Sequence, residues 1–265
     1  MNKYFKLAQI TLQEYFVYRL NFILWRFRSL VSFLTLIFFW LAVYGNRTDL
    51  LGYSKAQMIA YMIGLAFLKS IILGSRIGDL AGQIRSGEMT KIVIKPFNMF
   101  YFWLTKDLVD KTLNLFFVIF EILLVVKLLG LEFYIPKNFS SLVCFLIISV
   151  ISLFLNFYIN MLLSMAAFWT DDVWATRFLF GVIFLEFFSG AFFPLDILPN
   201  WLVRIFNLTP FPYLIFFPLK IWLEQVDSSQ ILNILLISIA WLIGFYILAK
   251  LVWRKGAKNY GAYGG

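Results

Sequence analysis

Residues 141–168 read SLVCFLIISVISLFLNFYINMLLSMAAF, and none of these 28 positions carries a charge. A helix needs about 20 apolar residues to cross the hydrocarbon core of a bilayer, so this run is long enough to span it with some tilt. Of all 265 residues, 62% are hydrophobic, 20% aromatic and only 14% charged. A soluble domain could not cover so much apolar surface with polar groups. We therefore predict an all-α membrane protein.

Five further apolar runs lie on both sides of this stretch, which gives six predicted transmembrane helices in one domain of residues 1–265. The short polar break TDDVW, residues 170–174, separates the fourth helix from the fifth. The predicted spans are 29–45, 56–74, 112–130, 141–168, 174–193 and 231–252.

The basic residues predict the orientation, because cytoplasmic segments of membrane proteins are enriched in Lys and Arg. With the N-terminus inside, sixteen fall in inner segments and five in outer ones. Both termini are then cytoplasmic, and we attribute the net charge of +9 to inner loops and anionic headgroups rather than to nucleic acid. The inner set is Lys3, Lys6, Arg19, Arg26, Arg28, Arg76, Arg85, Lys91, Lys95, Lys106, Lys111, Arg177, Lys250, Arg254, Lys255 and Lys258. The outer set is Arg47, Lys55, Lys137, Arg204 and Lys220.

Residues 1–28 precede the first predicted span and have the pattern of a basic amphipathic helix. Such a helix lies in the inner membrane interface. The alternative is that the first span begins early, which would place Arg19, Arg26 and Arg28 in hydrocarbon at a high cost.

Residues 76–111 form the longest predicted polar segment and include RSGEMTKIVIKPFN at 85–98. We expect the second span to run into the cytoplasm as a helix that ends near Ser86, followed by a short amphipathic piece up to Pro96. From the residues alone, this segment is either a solvated loop or a docking element for a soluble partner.

Residues 194–224 hold five of the seven prolines, so they cannot form one uninterrupted spanning helix. We expect short re-entrant helices in the outer leaflet, with Trp201, Tyr213 and Trp222 near the headgroups. They could be a structural lid or the gate of a translocation path.

Besides Arg177 and Lys250, which the orientation count assigns to inner segments, four charged residues fall inside predicted spans, and each costs about 2.5–3.5 kcal/mol at a helix centre. They are Lys69, Glu121, Lys127 and Glu186. We expect Glu121 or Glu186 to pair with Lys69, either within the bundle or across a subunit interface, and Lys127 to extend towards a surface.

The sequence predicts no catalytic or metal site. It has no histidine, one cysteine (Cys144) and no P-loop motif for ATP. The adjacent carboxylates Asp171 and Asp172 suit a helix cap or a contact better than a metal site.

Four stretches resemble the type-2 exporter permease family of ABC transporter membrane subunits, in a bacterial branch of poorly defined substrate. They are IRSGEMTKIVIKPFN (84–98), SGAFFPLDILPNWL (189–202), TPFPYLIFFP (209–218) and KNYGAYGG (258–265). The layout of spans, inner segment and proline-rich outer segment resembles that family over nearly the whole chain.

The resemblance implies a permease in the bacterial cytoplasmic membrane that works with a second permease, either the same chain or a related one. A separate P-loop ATPase would bind ATP and Mg, and a cytoplasmic coupling helix in segment 78–95 would fit a groove on it, with 170–174 as a smaller contact. The implied coupling residues are Asp79, Arg85, Gly87, Glu88, Lys91, Lys95, Pro96, Asp171 and Asp172. If the proline-rich outer segment is a gate rather than a lid, the outer-gate residues are Pro194, Pro199, Trp201, Pro210, Pro212 and Tyr213.

Two other classes remain open from the residues. One is an ion-coupled secondary transporter that uses Lys69, Glu121 and Glu186; the other is a membrane assembly protein without transport activity. Within the ABC reading, polysaccharide and a small amphipathic molecule are rival substrates, and the aromatic content favours the latter slightly.

Overall fold

The computed structural model describes residues 3–94, 97–132, 134–170 and 178–260. The described chain is almost entirely helical, with one two-stranded hairpin. The longer elements are α1 (Lys3–Val17), α2 (Arg19–Tyr44), β1 (Asp49–Leu50), β2 (Tyr53–Ser54), α3 (Lys55–Leu68), α4 (Gly78–Arg85), α5 (Thr90–Val93), α6 (Met99–Leu129) and α7 (Phe139–Met165). They continue with α8 (Leu185–Phe188), α9 (Asn200–Asn207), α10 (Phe216–Trp222) and α11 (Ser228–Asn259).

Five stretches are long and apolar enough to cross a membrane, which confirms the predicted all-α membrane class. They correspond to α2, α3 together with α4, α6, α7 and α11. The predicted fifth span, 174–193, is described only from residue 178; a π-helix (Leu179–Phe184) leads there into α8. Those ten residues are too short to span on their own, so the sixth crossing stays a prediction.

Two helices begin earlier in the chain than the spans predicted for them. Helix α2 begins at Arg19, ahead of the span predicted from residue 29, and α1 covers Lys3–Val17 of the segment predicted over 1–28. Helix α6 begins at Met99, so the polar segment predicted over 76–111 is helical in its second half. Asn98 determines that start, because its side-chain oxygen accepts hydrogen bonds from the backbone N–H groups of Phe100 (3.0 Å) and Tyr101 (3.4 Å).

The second spanning helix was predicted to continue without interruption to about Ser86. This prediction is wrong, because the helix is interrupted. It passes from α3 into a π-helix (Lys69–Leu73) and stops at Gly74, whose ψ of 132° is extended. The chain becomes helical again at Gly78, and α4 then ends at Arg85 with Ser86 as its C-cap, close to the expected end near Ser86. Gly87 follows with φ of 76°, a left-handed conformation that glycine adopts at little cost.

The buried apolar residues form two clusters, one at each end of the helix bundle. The larger joins α2, α3 and the middle of α6 and α7 to the short helices after residue 194. The smaller joins α4 and α5 to the start of α6 and the end of α7, around Ile77, Leu80, Trp103 and Met161. Helices α7 and α11 pack along each other and connect the two ends.

The proline-rich segment forms several short helices, as predicted. Two 3-10 turns (Leu195–Ile197 and Phe211–Tyr213) alternate with α9 and α10. Trp201 is 63% exposed, as expected for a headgroup-level residue, but Tyr213 is only 3% exposed. The expected placement of the Tyr213 ring among the headgroups is therefore wrong: it packs in the protein core.

Candidate functional site

The segment that the sequence singled out as a docking element, residues 78–94, has one buried and one exposed face. Leu80 and Ile84 of α4 are buried, whereas Asp79 and Arg85 are exposed. Glu88, in the turn that follows, is also exposed. The surface of the segment is therefore charged, with Asp79 within 3.6 Å of Arg76, while the apolar residues attach the segment to the bundle.

Four of the implied coupling residues lie outside the described residues, and a fifth is described only by its backbone. Lys95, Pro96, Asp171 and Asp172 lie outside the described residues. Lys91 belongs to the short helix α5, whose backbone alone is described at that position.

Helix α7 holds the start of this segment. The Ser164 hydroxyl is buried and donates a hydrogen bond of 3.0 Å to the carbonyl oxygen of Ile77. Met161 and Met165 belong to the same apolar cluster as Leu80 and Ile84. The segment is consequently held against the bundle by both packing and a buried hydrogen bond. A displacement of residues 78–94 would therefore also displace α7.

Between α3 and α4 lies a helix break, residues 69–77, whose backbone is satisfied by distant side chains. The Lys111 ammonium of α6 donates to the carbonyl oxygens of Ile71 (2.7 Å), Ile72 (3.2 Å) and Gly74 (2.7 Å). Asn156 of α7 also donates to the Ile72 carbonyl. These bonds replace those that an unbroken helix would make, which a break at membrane depth requires.

A buried carboxylate holds the far side of the helix break. Asp107 is fully buried and accepts hydrogen bonds from the Ser75 hydroxyl (2.7 Å) and the Arg76 backbone N–H (3.1 Å). It lies 3.5 Å from the Lys111 ammonium, one turn along α6. The charge of each residue is thus compensated by the other and by the backbone dipoles of the break.

Helix α1 is tied to the same region. The Tyr15 hydroxyl is hydrogen-bonded to Asp110, and the Arg76 guanidinium lies 4.8 Å from the centre of the Tyr15 ring. Arg76 also lies 3.7 Å from Glu14. Burial, and then the Asp110 carboxylate, raise the pKa of Tyr15 above its ordinary value, so the phenol remains a donor at neutral pH.

The charges predicted inside the spans are paired. Lys69 lies 2.7 Å from Glu186, which confirms that one of the two glutamates pairs with it. Glu121 pairs instead with Arg26, whose Nε donates to it at 2.9 Å. Lys127 is exposed in the last turn of α6, in keeping with the predicted extension towards a surface.

Arg26 reaches the helix break as well as Glu121. Its guanidinium donates to the Ser70 hydroxyl (2.8 Å) and to the side-chain oxygen of Asn114 (3.1 Å). The sequence reading placed Arg26 ahead of the first span, because an arginine in hydrocarbon is costly. The cost is offset here by partners from two other helices, and the residue is only 7% exposed.

The polar positions on α6 were missed by sequence reasoning, although a signal for them exists. Asp107, Lys111 and Asn114 are four and three residues apart, so they share one helix face. Asp107 and Lys111 fall in the polar segment predicted over 76–111, and Asn114 falls in the span predicted over 112–130, so the sequence did not place the three on one helix.

The predicted outer gate is built mainly of packed residues. Pro194, Pro210 and Pro212 are buried, and Pro199 is exposed. The segment is fastened to the β-hairpin by one ion cluster, in which Lys220 lies 2.8 Å from Asp196. The Tyr53 hydroxyl from the hairpin donates to the same carboxylate, also at 2.8 Å.

Among the described residues, no group of three or more His, Cys, Asp or Glu side chains is placed to hold a metal ion. No curated protein matches the chain at a significant level. A family model described as "ABC-2 family transporter protein" matches residues 30–264, nearly the whole chain, and the membrane-spanning helices agree with it. The chain therefore belongs to the ABC-2 family of transporter proteins and is a permease of the ABC type.

Proposed function

We propose that this chain is the permease subunit of an exporter, forms the substrate pathway as a dimer with the same or a related chain, and is driven by a separate ATPase. The ATPase binds ATP and Mg and docks on residues 78–94, with the smaller contact expected at 170–174. The observation that carries this proposal is the two-faced segment: charged residues point outwards, and the apolar face is packed on α7.

The helix break connects the docking site mechanically to the spanning helices. A force on α4 acts on the buried hydrogen bonds of Ser75, Arg76 and Ile77, and through them on α6 and α7. Closure of two ATPase subunits on ATP would in this way tilt the spanning helices between inward-facing and outward-facing arrangements.

The same network bears on the alternative of an ion-coupled transporter. Glu186 is held by Lys69, and Glu121 by Arg26, so each carboxylate has a structural role that does not require a transported ion. Within this proposal the two ion pairs hold α2, α6 and the fifth predicted span against the helix break.

Reversal of charge on the exposed face tests the docking site. Arg85→Glu should lower the affinity of the purified chain for its ATPase by at least fivefold, because one contact charge near a partner is worth about 1 kcal/mol or more. Arg204→Glu, the same change on exposed Arg204 of α9, is the control and should leave binding unchanged. Equal affinity for both variants would remove Arg85 from the interface.

The function as a whole is tested by isolation of the tagged chain from its native membrane in mild detergent. A stoichiometric P-loop ATPase in the preparation, and ATP-dependent transport in vesicles with collapsed ion gradients, are the expected results. Transport that needs an ion gradient and no ATPase would overturn the proposal.

A further inference from the structure

A groove of about 490 Å³ lies between three helices at the end of the bundle where α6 begins. Its walls come from the first turns of α6, the middle of α7 and the middle of α11. This groove is separate from the helix break, and none of the residues assigned above to coupling or to the outer gate line it.

The groove changes from apolar to polar along one direction. Phe154 of α7 and Leu242 and Ile243 of α11 line one part, and Tyr246 and Lys250 follow on α11. From Leu242 to Lys250 the axial rise is about 12 Å. Tyr158 lies beside Tyr246, with ring centres 5.4 Å apart, so the two helices carry their polar groups at the same level.

The polar end offers hydrogen-bond donors and a positive charge. The Lys250 ammonium lies 4.2 Å from the centre of the Tyr246 ring, and in the described part of the chain no carboxylate is within ion-pair distance of it. The hydroxyls of Tyr101, Tyr158 and Tyr246 make no hydrogen bond to any described residue. Tyrosine and lysine side chains with this arrangement are typical of a membrane–water interface, where they meet lipid headgroups.

We propose that this groove binds an anionic phospholipid of the bilayer. The acyl chains lie against Phe154, Leu242 and Ile243, and the phosphate is held by the Lys250 ammonium and neighbouring tyrosine hydroxyls. The groove should prefer an anionic phospholipid to a zwitterionic one. The reason is that the Lys250 ammonium at its polar end is not neutralised by a described carboxylate. Binding would hold α6, α7 and α11 together at the start of α6, which follows the end of the coupling segment.

Native mass spectrometry of the full-length purified chain, with added phosphatidylglycerol or phosphatidylcholine, tests this inference without any ATPase. The wild type should retain phosphatidylglycerol in preference. Lys250→Ala should weaken that binding about fivefold, which is the equivalent of about 1 kcal/mol for one lysine near an anionic surface. Lys255→Ala is the matched control, since Lys255 is exposed on another face of the same helix.

Tyr246→Phe supplies a second variant that keeps the ring and removes only the hydroxyl; it should lower phosphatidylglycerol retention to a smaller degree than Lys250→Ala. Equal retention of the two lipids by the wild type would overturn the proposal. So would equal losses in the Lys250→Ala and Lys255→Ala variants, because the charge of the helix end rather than the groove would then attract the lipid. Loss of the bound lipid when the assembled transporter turns over ATP would identify it as cargo and overturn its assignment as a resident lipid.

Discussion

Replacement of Lys111 by methionine tests the central structural argument, that a buried lysine stabilises the helix break. Methionine has nearly the length of lysine and keeps the packing, but it removes the donor to the carbonyls of Ile71, Ile72 and Gly74 and the partner of Asp107. Lys111 is 3% exposed, so water cannot replace these bonds without a rearrangement.

The expected loss is about 3–5 kcal/mol, the usual cost of removing one member of a buried ion pair. The free energy of unfolding of the purified chain, measured by titration with SDS in mixed micelles and followed by tryptophan fluorescence, should fall by this amount. Lys106→Met is the control on the same helix. Lys106 makes a 3.8 Å pair with Glu14 and lies 5.5 Å and 5.8 Å from the ring centres of Phe102 and Trp103. None of these contacts replaces a backbone hydrogen bond, so the loss of Lys106 should cost about 1–2 kcal/mol, less than the loss of Lys111.

A double-mutant cycle separates the ion pair from the carbonyl contacts. If the interaction with Asp107 dominates, Asp107→Asn and Lys111→Met together should cost much less than the sum of the two single changes. If the carbonyl contacts dominate, the two losses should add. A stability within 1 kcal/mol of the wild type for Lys111→Met alone would refute the reasoning, because the break would then not depend on that ammonium.

Two further predictions concern the membrane ion pair and the last helix. Glu186→Gln should lower the free energy of unfolding by about 1.5–3 kcal/mol, since it weakens a charge-assisted hydrogen bond to Lys69. If SDS stability, assembly and transport are all unchanged in this variant, the ion pair has no structural or functional role. Gly256→Ala should cost about 1–3 kcal/mol, because a Cβ there would lie 2.2 Å from the ring of Phe168. Gly244→Ala, in the same helix with nothing within 4 Å, should be neutral or slightly stabilising in the same SDS titration, and equal effects of the two alanines would show that close packing is not the cause.

Composition and apolar run length were enough to predict the fold class and most spanning helices. The run at 141–168 matches α7 and its 3-10 extension almost residue for residue, because twenty or more apolar residues have few alternatives to a membrane-spanning helix. The end of α4 near Ser86 was also predictable, since a glycine in a left-handed conformation follows it.

For the candidate site, the sequence singled out the charged surface residues but not the buried polar residues beneath them. Asp79, Arg85 and Glu88 are exposed, because local amphipathicity determines which face of a short helix packs. The interior of the site was not predicted, since its residues are far apart in the chain. Arg26 and Glu121, for example, are separated by 95 positions, and each looks unfavourable in hydrocarbon until the other is present.

The sequence by itself determined that this chain is an all-α membrane protein with a polar segment after its second span, because hydrophobic transfer energies and local helix signals act over a few turns at most. Only the tertiary structure decided where the second span is interrupted. The backbone of Ile71, Ile72 and Gly74 can leave the helical pattern because Lys111 and Asn156, from two other helices, supply the missing hydrogen bonds. Local sequence patterns cannot predict this interruption. An unpaired carbonyl inside a membrane is too costly, so the helix can break only where residues distant in the sequence donate the missing hydrogen bonds.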